Sequence, residues 1–324
     1  MSEHFIKNIE IKNFKCFDDF KAEGFGRVNL IGGKNNVGKT AFMEAVCINV
    51  YPKNINNMTS VLMSPKFART FLELDRKALT QEERKFFLEA IEDYYSISNI
   101  NIIEFFIKDK DGEKKYFFKI NKKETTININ NFSYEMERVK NIKFLTNLGF
   151  INLQLKEVYE AVQIKDKEEI LYKYINEFDK NILNFKIIGG DKPKCKVKDG
   201  IYRDIDEFGD GLKHYISIIC SLYACENGYL FIDEIDNGIH YTQLDRVWEI
   251  ILTLSKEQNV QVFATTHSKE CIESFNRVQR KLEDKDTYYF EMAKNSKTDK
   301  IFMTQIDCEQ LAYGLSHNEG IRGE

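Results

Sequence analysis

The stretch that decides the fold is Gly33-Lys34-Asn35-Asn36-Val37-Gly38-Lys39-Thr40, which has the spacing G-x-x-x-x-G-K-T. An apolar run at residues 27–31 precedes it, and Ala41-Phe42-Met43-Glu44-Ala45-Val46 follows with the pattern of a helix. A strand, a glycine-rich turn and a helix N-terminus in this order form a phosphate-binding loop, because glycines let backbone N–H groups face the phosphate. The alternative is a glycine-rich turn with a chance Lys-Thr pair. The length of the match and both flanks favour the phosphate-binding loop and predict a nucleoside triphosphate site.

Each position of this loop has an expected part in binding. Residues Gly33 to Ala41 are predicted to surround the nucleotide, with Lys39 reaching the β- and γ-phosphates. The Thr40 hydroxyl is predicted to ligate Mg²⁺. ATP and Mg²⁺ are therefore the expected cofactors.

The composition sets the class of protein. The chain has 324 residues, 43% apolar and 30% charged, which suits one large globular domain or two. It contains no apolar run of about 18 residues and no signal-peptide pattern, so we expect no membrane span and a cytoplasmic location. Its seven cysteines are odd in number and form no C-x-x-C, which favours reduced thiols and argues against a zinc site. The net charge of −4 provides no general attraction to nucleic acid.

The chain order predicts three regions, at residues 1–51, 52–140 and 141–324. The first is an N-terminal lobe in which strands at 5–14 and 17–26 join the strand before the phosphate loop in an antiparallel element. The second is an insertion with a loop at 52–65, two helices at 66–74 and 80–95, and a β-meander. The third is a C-terminal lobe, which starts with a strand at 142–150, contains a helix at 269–276 and ends in a strand pair and a short tail. Lysines at 108–123 of the meander fit either a face for DNA phosphate or, as the commoner case, a solvated hairpin.

A second cluster of chemical signals lies in the C-terminal lobe. Tyr229–Ile232 reads as a buried parallel strand that ends in Asp233 and Glu234, where α/β folds place ligands. Asp233 is predicted to hold Mg²⁺ through water, and Glu234 to polarise the attacking water as general base. A strand at 260–268 ends near His267, from which an imidazole can face a γ-phosphate. A lone histidine is more often structural, and only the other motifs in the chain favour a catalytic role for His267.

The ordered set of motifs resembles the ATPase heads of the ABC superclass, in the branch that contains SMC, RecF and OLD proteins. The amino-acid sequence at residues 231–241 and 263–268 resembles the corresponding motifs of prokaryotic OLD-like ATPases of the AAA type from anti-phage defence systems. The resemblance implies an α/β P-loop fold with a mixed central sheet, flanking helices, an antiparallel β element and a helical and β insertion. It also assigns motif names. Residues 33–40 become Walker A, Asp233 and Glu234 become Walker B, and His267 becomes the switch histidine. The D-loop comprises Asp236, Asn237, Gly238 and His240.

The resemblance further implies a head-to-tail dimer of two copies of the chain. Each nucleotide would lie between one phosphate loop and the partner's signature motif, here Gly209-Asp210-Gly211 at a helix N-terminus. The usual serine before the glycine pair is replaced by Phe208, so we expect slow hydrolysis. Gln154 and Gln163 are candidates for a magnesium-sensing glutamine, and an ordinary helix surface is the commoner role for each.

The sequence shows no second catalytic cluster, so the first functional hypothesis is an ATPase that regulates a separate effector in phage defence. The effector would be a nuclease, such as a Toprim-like enzyme, or a toxin. The second hypothesis is a RecF-like ATPase of DNA repair, with DNA as partner. The third is a nucleotide-dependent scaffold without useful turnover.

Overall fold

The structure is a computed structural model that describes residues 4–50, 103–109, 112–120, 125–129, 141–147 and 149–317. For the strands between residues 103 and 129, the description concerns the backbone. The predicted loop at 52–65 and the predicted helices at 66–74 and 80–95 lie outside the described residues.

The secondary structure alternates between strands and helices. The strands are β1 (Asn8–Phe14), β2 (Phe17–Glu23), β3 (Val28–Gly32), β4 (Ile103–Asp109), β5 (Gly112–Ile120), β6 (Thr125–Ile129), β7 (Ile142–Leu145), β8 (Ile182–Ile188), β9 (Lys192–Val197), β10 (Tyr202–Asp204), β11 (Tyr229–Ile232), β12 (Gln261–Thr265), β13 (Thr287–Lys294) and β14 (Ile301–Ile306). The helices are α1 (Lys39–Val50), α2 (Asn152–Ile164), α3 (Glu168–Phe178), α4 (Asp210–Ala224), α5 (Leu244–Glu257), α6 (Lys269–Lys281) and α7 (Cys308–His317). Short 3₁₀ turns occupy Ile205–Phe208 and Tyr241–Gln243.

The central sheet has six strands in the order β14-β13-β3-β12-β11-β7. The five strands from β13 to β7 are parallel, and β14 is antiparallel at one edge. Two hydrophobic clusters cover the two faces of this sheet, as expected for strands such as β3 and β12 whose residues are all buried. The carboxyl ends of β3, β11, β12 and β7 therefore meet at one edge, where the predicted site residues follow.

A second sheet is antiparallel, with the order β2-β1-β4-β5-β6. The sequence predicted that β3 would belong to this element, and that prediction was wrong. β3 is buried along its whole length and pairs in parallel with β12 and β13, because an apolar strand of this kind is most stable between two other strands. Strands β4, β5 and β6 extend the antiparallel sheet beyond β1 instead.

The third sheet has the order β10-β9-β8 and precedes the signature motif. One face of it packs on α2 and α3, where the Tyr159 and Phe185 rings meet edge to face at 5.0 Å between centroids. β10 continues through the 3₁₀ turn at 205–208 into α4. Helix α4 is buried along nearly all of its length and carries the signature at its N-terminus.

Three boundaries differ from the sequence-based prediction. β7 ends at Leu145 and not at residue 150, so residues 146 and 147 lie in a loop at the carboxyl edge of the sheet. α6 continues to Lys281, beyond the predicted end at residue 276. The predicted tail contains helix α7, which packs on α6 and buries Leu311. Among the described residues, no helix has both the length and the apolar character needed to cross a membrane.

Candidate nucleotide site

The phosphate loop connects β3 to α1 and requires its glycines for two different reasons. Gly33 has a φ of 140°, and a Cβ added there would lie 2.3 Å from the Met292 carbonyl oxygen. Gly38 has a φ of 108°, and its Cβ would lie 2.8 Å from Cys16 Sγ. Side chains at either position would meet both an unfavourable backbone conformation and a steric clash. The loop can keep this course only with glycine at both positions.

Lys39 is folded back into this loop. Its Nζ donates to the carbonyl oxygens of Gly33 at 2.7 Å and Lys34 at 2.9 Å. Burial lowers the pKa of Lys39, and the charges of Asp233 and Glu234 partly oppose that effect. The ammonium group is thus held inside the loop at low solvent exposure, where a phosphate anion would interact with it strongly.

The other predicted loop residues lie around this lysine. Lys34, Asn35 and Asn36 are exposed, and Asn36 adopts a φ of 60°. Val37 is buried beneath the loop, and Ala41 is half-buried in the first turn of α1. The predicted nucleotide-binding residues 33–41 therefore form one loop that leads into a helix N-terminus, with some of its residues exposed and others buried.

Asp233 follows β11 and contacts the phosphate loop directly. Its Oδ2 accepts a hydrogen bond from Thr40 Oγ1 at 2.9 Å, and its Oδ1 accepts from Thr265 Oγ1 at 2.6 Å. Burial raises the pKa of Asp233, and the hydrogen bonds from the two threonine hydroxyls lower it. A carboxylate and a hydroxyl at this separation are hard oxygen donors of the kind that Mg²⁺ prefers.

The Thr40 hydroxyl and the Asp233 carboxylate suit Mg²⁺ better than they suit a metal ion whose ligands all come from the protein. Within the described residues, no group of three or more His, Cys, Asp or Glu side chains could enclose a metal ion. Mg²⁺ is commonly held by one or two protein ligands together with water and substrate phosphates. Thr40 and Asp233 can hold the ion in this way.

Glu234 occupies a constrained position next to Asp233. Its φ is 53°, a left-handed conformation that costs an L-residue about 1 kcal/mol. Its backbone N donates to Thr265 Oγ1 at 2.9 Å, and its Oε2 accepts from Asn147 Nδ2 at 3.3 Å. These two contacts orient the carboxylate at the carboxyl edge of the sheet.

Asn147 is a site residue that the sequence reasoning missed. It lies in the loop after β7, and β7 pairs in parallel with β11, so the end of β7 reaches the same edge as Glu234. The Asn147 carbonyl also accepts a hydrogen bond from Asn237 Nδ2. The usable signal was a polar residue directly after a buried parallel strand. The predicted strand ran to residue 150 and placed Asn147 in its interior.

The two glutamines that were considered have other partners. Gln154 Oε1 accepts from the backbone N of Ile151 at 3.2 Å, at the start of α2. Gln163 Nε2 donates to Glu168 Oε1 at 3.3 Å, at the opposite end of that helix. These contacts stabilise helix ends, which is the ordinary role that the sequence left open for both residues.

His267 lies beyond the end of β12, at the same edge. The residue is half-buried, and its Nδ1 is a buried atom without a hydrogen-bond partner among the described residues. The preceding Thr266 donates through Oγ1 to Asp236 Oδ1 at 2.6 Å, which ties this strand end to the D-loop. A buried nitrogen without a partner is costly, so it favours a polar ligand at this position.

The residues predicted to form the signature lie beside those predicted to form the D-loop, within the same chain. Gly209 is exposed with a φ of 84°, and Asp210 begins α4. A Cβ added to Gly211 would lie 1.9 Å from the carbonyl oxygen of Gly238. One turn further on, His214 Nε2 lies 3.2 Å from the Ile235 carbonyl oxygen.

A surface cavity of about 550 Å³ opens where these two motifs meet. Residues 208–212, Gly238 and His240 contribute to its wall. His240 is exposed, its Nδ1 lies 2.9 Å from Thr242 Oγ1, and its ring packs on Tyr241 at 4.4 Å between centroids. The structure thus brings the phosphate loop together with Asp233, Glu234 and Asn147. It gathers the signature and the D-loop around this cavity.

Comparison with solved structures identifies the fold class. The chain is similar to an SMC head bound to the C-terminal winged-helix domain of ScpA, with a TM-score of 0.51, 14% identity and coverage of 95% of this chain and 99% of that one. It is also similar to the Pyrococcus furiosus Smc head with an extended coiled coil, with a TM-score of 0.52, 11% identity and coverage of 97% of this chain and 99% of that one. The predicted fold class is confirmed. The chain has an SMC-head-like α/β fold with a mixed central sheet, as in P-loop ATPases.

Comparison of sequences adds the type of activity. A model described as an AAA ATPase domain matches residues 150–272. A Helicobacter pylori protein named "ATP/GTP phosphatase" is 28% identical over 327 residues, covering 85% of this chain and 88% of that protein. Together with the fold, these matches support an ATPase of the AAA and SMC-like type.

Proposed function

We propose that this chain is an ABC-type ATPase that binds and hydrolyses ATP, dimerises on ATP and regulates a separate effector. The observation that carries the proposal is the contact between Thr40 and Asp233 at 2.9 Å, which joins the phosphate loop to the acidic end of β11. Lys39, buried in the same loop, supplies the positive charge. The resemblance between this chain and a protein named ATP/GTP phosphatase supports phosphate release as the outcome.

The chain's own residues have distinct parts in the proposed hydrolysis. The N–H groups of the loop and Lys39 would bind the phosphates, with Thr40 and Asp233 holding Mg²⁺. When bound, Mg²⁺ supplies positive charge that offsets the charge developing on the phosphates. Glu234 would accept a hydrogen bond from the attacking water and polarise it, while Asn147 and Thr265 hold Glu234 in place.

A second copy of the chain would complete the site. The signature glycines lie at a helix N-terminus, where backbone N–H groups attract anions, and they border a cavity open to solvent. In a head-to-tail dimer this end of α4 would meet the γ-phosphate bound by the partner. The ligand then stabilises the dimer, because it binds the associated form more tightly. Phe208 and Asp210 place a ring and a carboxylate where a hydroxyl is usual in the similar proteins, so turnover should be slow.

The regulated effector is the broadest part of the proposal. The resemblance to ATPases of anti-phage systems supports a nuclease or toxin as the effector and phage defence as the setting. The SMC head that shares the fold is bound to a domain of ScpA, which supports a protein partner for a head of this shape. Co-expression with the neighbouring gene products tests this part, and a stable complex with one of them is the expected result.

The ATPase part is tested with Glu234→Gln and the matched surface variant Glu309→Gln. We expect Glu234→Gln to lower phosphate release at least about 100-fold, because the amide cannot accept a proton from water. Light scattering after gel filtration should show that this variant accumulates as a dimer with Mg·ATP. Glu309→Gln should match the parent, because Glu309 is exposed on α7. Equal turnover in the parent and Glu234→Gln would remove Glu234 from the role of base.

A further inference from the structure

The three-stranded sheet before the signature presents a face lined with lysines. Along β9 the residues alternate between buried positions and more exposed ones, and from Asn184 onward each residue of β8 pairs with one residue of β9. The buried side chains pack towards α2 and α3. The opposite side, here named the lysine face, carries Lys186, Ile188, Lys192, Lys194, Lys196, Tyr202 and Asp204.

Cross-strand contacts confirm that these side chains share one face. Lys194 Nζ lies 3.1 Å from Asp204 Oδ1, across the pairing of β9 with β10. Lys196 Nζ lies 5.8 Å from the centre of the Tyr202 ring, in the neighbouring register pair. Lys186 is the register partner of Lys194 on the other side of β9.

The charge of this region is opposite to that of the whole chain. Residues 180–204 contain seven basic and three acidic residues, a net charge of +4, whereas the chain has a net charge of −4. Two of the three acids, Asp199 and Asp204, are engaged in ion pairs with Arg203 and Lys194. Lys186, Lys192 and Lys196 have no ion pair in the described part of the chain.

This arrangement does not serve the stability of the sheet. Lys186 and Lys194 face each other directly, and like charges in that position are destabilising. An anionic polymer lying along this face would offset the repulsion between the lysines.

We propose that the lysine face binds the phosphate backbone of a nucleic acid without reading its sequence. Lysine is depleted in the cores of protein–protein interfaces, whereas it is a principal contact to phosphate oxygens. The face differs from the meander at 108–123 that the sequence suggested for DNA. It lies one short 3₁₀ turn from Gly209, so a bound nucleic acid would sit next to the signature. The proposal does not depend on the ATPase cycle.

The test is fluorescence anisotropy with a labelled DNA duplex of about 30 base pairs and a single strand of the same length. With contacts from the three lysines that have no ion pair, the logarithm of the association constant should fall against the logarithm of salt concentration with a slope of about −2.7 for the duplex. The double variant Lys192→Glu/Lys196→Glu should reduce the magnitude of this slope to about 0.9 or less and weaken binding at least about tenfold near 50 mM salt.

A control variant changes the net charge by the same amount elsewhere. Lys173→Glu/Lys285→Glu alters two exposed lysines, one on α3 and one after α6, and should retain the affinity and slope of the parent. Equal losses in both double variants would overturn the proposal, because net charge alone would then explain binding. So would the absence of binding by the parent to both DNA probes at low salt. Displacement of DNA by poly-glutamate at equal charge would point to an acidic protein and would also overturn it.

Thermal unfolding and basal ATP turnover of all the variants accompany these measurements. Unchanged unfolding in the lysine variants shows that the loss of binding is not a loss of fold. Loss of DNA binding by the lysine variants, with basal turnover equal to that of the parent, supports the proposal. This test does not depend on the hydrolysis mechanism proposed above.

Discussion

Asp233→Asn separates the role of this carboxylate in the fold from its role in the chemistry. Asp233 is 7% exposed and accepts hydrogen bonds from the Thr40 and Thr265 hydroxyls. Asparagine keeps the size of the side chain and one acceptor oxygen, but it removes the negative charge. It also replaces the second oxygen by an NH₂ group, so one threonine hydroxyl loses its acceptor unless it turns to accept.

The two effects on stability nearly cancel. Loss of one hydrogen bond to a buried hydroxyl costs about 1 to 2 kcal/mol. Removal of the charge relieves the desolvation that raises the pKa of Asp233. We therefore expect the free energy of unfolding near pH 7 to change by less than about 1.5 kcal/mol. Turnover with Mg·ATP should fall at least about 100-fold, because the metal loses its anionic ligand.

The pH dependence of the free energy of unfolding tests the role of Asp233 independently. The native pKa of Asp233 is raised above the ordinary value of 3.8, so the native state holds this proton more tightly than the unfolded state. The contribution of Asp233 to stability is therefore greatest below pH 3.8 and is lost as pH rises through the native pKa. Asp233→Asn has no carboxylate to ionise, so its free energy of unfolding should rise relative to that of the parent as pH increases from about 4.

Urea unfolding followed by circular dichroism measures stability, and phosphate release measures turnover. Asp245→Asn is the matched control. Asp245 pairs with Arg277 outside the site, so this variant should retain turnover. A fall of more than about 3 kcal/mol in the unfolding free energy of Asp233→Asn would show that the carboxylate is structural. Turnover within twofold of the parent would show that it does not hold the metal.

Three further predictions follow from single contacts in and near the site. Asn147→Ala should lower kcat about tenfold with little change in KM, because Glu234 loses the amide that orients it; steady-state phosphate release checks this, and an unchanged kcat would contradict it. Gly211→Ala should lower the free energy of unfolding, measured in urea, by about 1 to 2 kcal/mol, because the added Cβ would lie 1.9 Å from the Gly238 carbonyl oxygen. This loss should exceed the gain from the better helix propensity of alanine, so a more stable variant would refute the contact. Burial lowers the pKa of His214 from 6.5 to about 4, so the contribution of the neutral imidazole to the free energy of unfolding should be lost as pH falls below 6.5. The expected loss between about pH 7 and pH 5 is about 2 kcal/mol. A His214→Gln variant whose stability depends on pH in the same way as that of the parent would contradict this prediction.

The sequence predicted the local parts of the fold well, because their signals are contiguous. The phosphate loop, α1 and β11 depend on residue types within about ten positions of each other, and the structure has all three where they were expected. The misplaced elements depend on distant partners. The assignment of β3 to the antiparallel element failed because its partners β12 and β13 lie more than 200 residues away. Helix α7 was missed because its packing on α6 is a tertiary contact.

The sequence by itself determined that this chain has a phosphate loop followed by a helix, and that a buried strand ends in Asp233 and Glu234. Backbone conformation at glycines and an uninterrupted run of apolar residues are local properties, so no tertiary information was needed. Only the tertiary structure decided which groups meet at the sheet edge. Asn147 reaches Glu234 across 87 residues because β7 and β11 pair in parallel. The lysine face exists because strand pairing collects side chains that are mixed with apolar residues along the chain.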